Sequence, residues 1–196
     1  VYKRQVILVD GLVWPYLEHN QRTTLLRSCR VWVLMHSLTD SDFKSDSNGL
    51  IQSLKRSYEF DIVDGWCATS DLTMRLLNQC YPSNPGHVVV PGTDVIDDSP
   101  VVTDRHILLS VAHVIPRKGH DRLLQSLADV IDLDWELRIV GSLTRDPSWA
   151  QSIQQLAKTL GLADRIVFLG ECDADSVHYE FCQADVLLHS ALFESY

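Results

Sequence analysis

The stretch Ile107-Leu-Leu-Ser-Val-Ala-His-Val-Ile-Pro-Arg-Lys-Gly-His120 carries the reading of this chain. Its apolar opening is β-rich and ends near Val111, and a short loop then delivers Pro116, the adjacent cations Arg117 and Lys118, and Gly119 ahead of a helix. Ligands in open α/β sheets sit beyond the carboxyl ends of the strands. Arg117 and Lys118 therefore stand where an anion would be met. For an isolated Arg-Lys pair a solvated basic loop is the better reading.

Outward from this segment the same alternation repeats. Apolar, β-rich runs occur at Gln5–Val9, Val31–Met35, Ile62–Ala68, His87–Val90, Ile107–Val111, Trp135–Val140, Arg165–Leu169 and Val186–Leu188. Near-continuous hydrophobicity in such runs predicts strands buried on both faces, as in parallel sheets. Helical stripes lie between them: Leu123, Leu124, Leu127 and Ile131 form one, and Trp149, Ile153, Leu156 and Leu160 another. Asp146 with Pro147 suits the start of the second helix, and Asp173 suits the start of a helix carrying Val177 and Phe181. Alternating strands and helices with short loops predict an α/β fold. Strands at Ile107–Val111, Leu137–Val140 and Ile166–Leu169 are expected as parallel neighbours in one sheet, with Val31–Met35 in another. The regularity breaks at Pro91–Asp104, a Pro-, Gly- and Asp-rich stretch that reads as a linker.

Composition sets the boundaries. The 196 residues are 45% hydrophobic and 22% charged, an ordinary globular balance. A net charge of −9 repels phosphate backbones, so nucleic acid is not expected as a partner. The five cysteines form no C-x-x-C pair and are expected as reduced thiols. No apolar run reaches the roughly 18 residues of a membrane span. Val1-Tyr2-Lys3-Arg4 lacks the features of a signal peptide and an initiator Met, from which a missing beginning is expected. G-x-G-x-x-G after a strand, G-x-x-x-x-G-K-S/T, G-x-S-x-G and H-E-x-x-H are all absent. Asp40/Asp42, Asp132/Asp134 and Asp173/Asp175 have Asp-x-Asp spacing, but only Asp40/Asp42 follows a strand. A solvated acidic loop is the simpler reading of that pair, and no metal site is expected.

A resemblance then narrows the reading. Ser110-Val-Ala-His-Val-Ile-Pro-Arg-Lys-Gly119 resembles the S-V-G-R-L-x-P-R-K-G segment of family 4 retaining glycosyltransferases. Leu137-Arg-Ile-Val-Gly141 resembles their L-x-I-V-G, and Leu160–Gly170 their L-G-L-x-D-R-V-x-F-L-G. Ala184–Tyr196 resembles A-D-V-x-x-x-P-S-x-x-E-G-Y. In the first half, Val88-Val-Val-Pro-Gly-Thr-Asp94 is similar to the interdomain V-x-P-N-G-V-D, Val33–Leu38 to a first-domain strand ending in His, and Trp66–Ser70 to a strand-to-helix turn. The chain departs from these patterns at Pro91 for Asn, Ala112 for Gly, His113 for Arg and Ser195 for Gly. A methyl at Ala112 is expected to crowd a phosphate.

The resemblance implies two Rossmann-like parallel-sheet domains of GT-B type, both incomplete in this chain. Residues 1–91 would be the later part of a first, acceptor-side domain. Residues 92–104 would be the linker, and 105–196 the earlier part of a second, donor-binding domain. Arg117 and Lys118 would contact the donor diphosphate. Fixed cations stabilise the charge that grows there as the sugar–phosphate bond breaks, and they can stand in for a divalent metal. Glu194 matches the first carboxylate of Glu-x7-Glu and would serve the donor sugar, though it also reads as a helix N-terminal Glu. Gly141 would let backbone approach the nucleotide, or simply end a strand. His36 would contact the donor sugar or the reacting centre, or be a satisfied strand-end histidine.

The resemblance further implies transfer of a sugar from a nucleotide-sugar donor, such as a UDP- or GDP-sugar, to an alcohol with retained configuration. The route would be front-face displacement without metal or other cofactor. The acceptor would be a glycan, a lipid-linked or a small-molecule alcohol, and the setting cytoplasmic, with peripheral membrane association left open. The piece itself, ending before the second Glu, is expected to be inactive. A nucleotide-sugar epimerase on the same fold and a non-catalytic, truncated glycosyltransferase-like module are the alternatives.

Overall fold

The computed structural model describes residues 5–36, 62–93, 106–192 and 194. Asp40 and Asp42 and nearly all of the expected linker lie outside these residues. The chain divides into two compact units, residues 1–94 with 194–196 and residues 95–193. Each is built on a four-stranded sheet.

The first unit has β1 (Val6–Asp10), β2 (Arg30–Met35), β3 (Gly65–Ala68) and β4 (Gly86–Val88), in that spatial order and all parallel. Helix α1 (His19–Ser28) follows β1, and α2 (Asp71–Cys80) joins β3 to β4. Local chemistry sets the helix starts. The Gln21 side chain accepts from the Glu18 backbone N–H at 2.8 Å, and Ser70 Oγ accepts from Thr73 N–H at 3.1 Å. Thr73, Met74, Leu77 and Cys80 then fall on one buried face of α2, and Trp14, Val31, Val33, Met35 and Trp66 are buried in the same unit.

Strand β3 starts later than the run from Ile62 suggests. Asp64 explains it: its carboxylate accepts from Val31 N–H at 2.8 Å, and its own N–H donates to Val31 C=O at 2.8 Å. A side chain bonding to backbone in this way competes with extension of the ladder. The expectation of strands buried on both faces holds for the inner strands and fails at the edges. Val6 and Leu8 of β1, an edge strand, are exposed.

The second unit contains β5 (His106–Val111), β6 (Trp135–Val140), β7 (Ile166–Gly170) and β8 (Val186–Leu187). The order is β7-β6-β5-β8, again all parallel. The chain steps outward from β5 to β7, then returns to the other side of β5, and that reversal makes a topological switch point. Helices α3 (His120–Ala128), α4 (Pro147–Thr159) and α5 (Ala174–Gln183) connect the strands. Ile107–Val111, Leu137–Val140 and Ile166–Leu169 are neighbours in this sheet, and Val31–Met35 lies in the other.

The core of the second unit joins Leu123, Leu124 and Leu127 of α3 to Trp135, Leu137 and Ile139 of β6 and to α4. Ile131 falls beyond the end of α3 and is exposed. On α4 the innermost positions are Ala150, Ile153 and Ala157, while Trp149, Leu156 and Leu160 flank them. The buried face is thus turned by one residue from the large-residue stripe. Alanines sit at its centre because a small side chain lets the helix axis approach the sheet.

Candidate functional site

The loop leaving β5 is held by backbone. Ala112 N–H donates to Val140 C=O at 2.8 Å and Val114 N–H to Ser142 C=O at 3.0 Å, so the loop continues the β5–β6 pairing past the strand end. Val114 is fully buried and anchors it. Pro116–Lys118 then makes one 3-10 turn before α3. From the β8 side, Ser190 Oγ donates to Lys118 C=O at 2.8 Å, and Leu192 N–H donates to Arg117 C=O at 2.9 Å. Both cationic residues are therefore fixed through their carbonyls.

Beyond the carboxyl ends of β5, β6 and β7 lies a cavity of about 320 Å³. Lys118, His113, Gly141 and Glu171 line it together with Ala112, Cys172 and Val177. Arg117 is half-buried and is not among the lining residues. Gly141 packs its backbone on Ala112: a Cβ there would overlap the Ala112 carbonyl and crowd His113 N at 2.7 Å, at a φ of +149°. The close approach that requires this glycine is thus made by the chain's own β5 loop. The outer wall is set by α5. Asp173 caps that helix by accepting from Ser176 N–H at 2.9 Å. Arg138 on β6 ties it down, bonding Glu180 at 3.0 Å and Glu136 at 2.9 Å.

His113 gains a role that the sequence marked only as a departure. Its Nδ1 accepts from Ser142 N–H at 3.1 Å, so the neutral ring keeps its proton on Nε2. Burial holds the imidazole below the usual histidine range, Arg145 pushes the same way, Glu171 opposes, and Lys118 adds to the depression. At neutral pH the cavity therefore presents the Lys118 ammonium, an uncharged imidazole N–H donor and the Glu171 carboxylate, with Arg145 close enough to be felt. Cations and a donor favour an anionic ligand. The carboxylate can accept from a hydroxyl or an amide.

His36 and Glu194 are not among the residues that line this cavity. His36 belongs to the first unit, where Nε2 lies 2.8 Å from Asp10 Oδ2. Glu194, grouped with the first unit although it follows the second in sequence, is half-buried. Asp132 and Asp134 are exposed ahead of β6. Among the described residues no group of His, Cys, Asp and Glu side chains is placed to hold a metal ion. Among them, too, no helix is long and apolar enough to cross a membrane. The cysteines Cys29, Cys67, Cys80, Cys172 and Cys182 are free thiols.

Paired Rossmann-like parallel sheets, the second with a cation-bearing loop at its strand ends, are the architecture of GT-B glycosyltransferases. Residues 93–196 match the sequence model of glycosyl transferases group 1, and the chain belongs to that family. It is 29% identical over 85 residues to a GDP-mannose-dependent alpha-(1-6)-phosphatidylinositol monomannoside mannosyltransferase of Mycolicibacterium smegmatis, a match covering 42% of this chain and 21% of that protein. Among solved structures it superposes on sucrose-phosphate synthase from Thermosynechococcus elongatus with a TM-score of 0.78 at 19% identity, over 97% of this chain and 51% of that one. It also superposes on Anabaena HepE, solved with UDP and glucose, with a TM-score of 0.71 at 14% identity, over 96% and 54%. The chain thus spans about half the length of these structures and about a fifth of the mannosyltransferase. At such identities the structural likeness establishes the fold.

Proposed function

We propose that the second unit binds the diphosphate of a nucleotide-sugar donor in the cavity beyond β5–β7. The protein of which this chain forms part would transfer that sugar to an alcohol with retention of configuration and without metal. The carrying observation is Lys118 lining a strand-end cavity with its backbone held by Ser190. A fixed cation there stabilises the leaving diphosphate as its charge develops, with no reorganisation at the moment of bond cleavage. Arg117 is assigned to the same anion, Gly141 to the nucleotide-facing strand end, and His36 and Glu194 to the donor sugar or the reacting centre. HepE, a neighbour by fold, has been solved with UDP and with UDP-glucose, which supports a nucleotide-sugar ligand. The mannosyltransferase relative, named for GDP-mannose, keeps a guanine nucleotide in the test.

Calorimetry of this chain with UDP and with GDP tests the reading. One of them should bind, and Lys118→Ala should weaken it by about 1–3 kcal/mol, the range for a charge-assisted contact. Equal affinity in the variant and the parent would remove Lys118 from the site. Binding of neither nucleotide would remove the donor-site reading for this chain.

A further inference from the structure

The first unit holds a side-chain pair of which the sequence marks only the histidine. Asp10 closes β1 and His36 follows β2, and the parallel register sets Asp10 opposite Leu34, so both side chains reach the same end of the sheet. The backbones there are tightly fitted. Gly11 N–H donates to Leu34 C=O at 2.8 Å, and a Cβ on Gly11 would lie 2.6 Å from Met35 Sδ and 2.9 Å from the Leu34 carbonyl oxygen. Glycine thus lets the turn after β1 lie against the end of β2, and this carries the Asp10 carboxylate to the imidazole.

Both oxygens of that carboxylate are engaged. Oδ1 accepts from Leu12 N–H at 2.7 Å, a local Asx-type bond that fixes the plane of the group. Oδ2 meets His36 Nε2 at 2.8 Å. Burial pulls the Asp10 carboxyl upward, but the Leu12 N–H and His36 outweigh it and hold the group below the usual carboxylate range. An ionised carboxylate only accepts, so the proton of this contact sits on Nε2. No described residue bonds Nδ1, and the His36 side chain is 35% exposed.

We propose that Asp10 is the positioning residue of His36: by accepting from Nε2–H it fixes the neutral ring in one tautomer and leaves the Nδ1 lone pair to accept from a sugar or alcohol hydroxyl. This deepens the assignment of His36 to the donor sugar or the reacting centre and rests on it. An imidazole held this way recognises a hydroxyl by direction. The opposite tautomer would present a donor at the same place and would favour an ether or carbonyl oxygen instead. The Leu12 bond matters because it pre-orients the carboxylate, which reduces the ordering cost of a pair this exposed.

Long-range nitrogen–proton NMR on the 15N-histidine-labelled chain reads the tautomer directly, at a pH where the His36 ring is neutral and with no ligand present. The expected result is Nε2–H. In Asp10→Asn, the Leu12 N–H keeps the amide oxygen and the amide NH2 is left facing the ring, so His36 should switch to Nδ1–H. Nδ1–H or an exchanging mixture in the parent, or no switch in the variant, overturns the pairing, whatever the donor site proves to be. Titration with UDP-glucose and, separately, with UDP tests the hydroxyl. UDP-glucose should shift the Nδ1 resonance more than UDP does, and Asp10→Asn should abolish the difference. Identical responses to the two ligands overturn the hydroxyl-accepting role. Calorimetry with the same ligands reports independently on the Lys118 site.

Discussion

β2 and β5 are both inner strands of their sheets, and the chain leaving them is secured in opposite ways. After β5 the chain is held by main-chain bonds to Val140 and Ser142 and by Ser190 and Leu192 from the far side. After β2 the described chain is held at His36 by a half-exposed side-chain pair with Asp10. A site built on backbone tolerates side-chain change and fails when a Cβ intrudes. A site built on a carboxylate–imidazole contact keeps its fold under substitution and loses the state of its ring. The backbone-held arrangement suits an anion, which needs charge at a fixed point. The carboxylate–imidazole pair suits a group whose proton position matters.

Gly141→Ala should break this comparison most strongly. The added methyl meets the Ala112 carbonyl at a backbone angle that L-residues rarely adopt. The second unit is expected to lose about 4 kcal/mol from overpacking and strain together, while the first unit is unaffected. Denaturant unfolding followed unit by unit checks this, and a loss shared equally by both units would contradict it.

Acid should separate the units next. His120, the first residue of α3, is fully buried, and among the described residues neither ring nitrogen has a hydrogen-bond partner. Burial pushes its pKa down to about 4, with Asp121 opposing and Lys118 adding. The unfolded chain protonates this ring near pH 6.5, whereas the folded unit resists until about pH 4. The contribution is therefore complete above pH 6.5 and is lost as pH falls through that window. Its size is about 3 kcal/mol by linkage. His120→Leu should flatten the stability–pH curve of the second unit between those limits, and parallel curves for parent and variant would refute the assignment.

Ser70→Ala should have the smallest effect and act on the first unit alone. It removes the cap on Thr73 N–H and is expected to cost about 1 kcal/mol. A thermal scan resolving the two units would register it as a shift of one transition with the other fixed.

Much of the second unit was legible because its signals are local. A β-rich run followed by Pro116, Arg117, Lys118 and Gly119 encodes strand, turn and helix within one short window, and Asp146 and Asp173 cap the helices assigned to them. The stripe Trp149, Ile153, Leu156 and Leu160 does lie in or against the core, but Ala150 and Ala157 at its centre carried no signal, since size marks large residues while close packing selects small ones. Glu171 carried no signal, because a single acidic residue after a strand resembles any solvated loop until β7 sets it beside β5 and β6. His113 registered only as a departure. Its partner, Ser142, lies 29 residues away. Asp10 stayed hidden for the same reason: 26 residues separate it from His36, and only the parallel register of β1 and β2 joins them.

The strap behind Arg117 and Lys118 also has a history in time. Ser190 lies 72 residues after the carbonyl it bonds, and Asp185, which accepts from Ile107 N–H, lies 78 residues after that strand. During synthesis at about 5–20 residues per second, Lys118 leaves the ribosome roughly 4–14 s before Ser190 can reach it. Through that interval β5 lacks its β8 neighbour, and the Pro116–Lys118 turn is braced from the β6 side alone once β6 has emerged. Long-range parallel pairings of this kind are slow to form. The nascent second unit therefore acquires its charged loop early and its rigidity last.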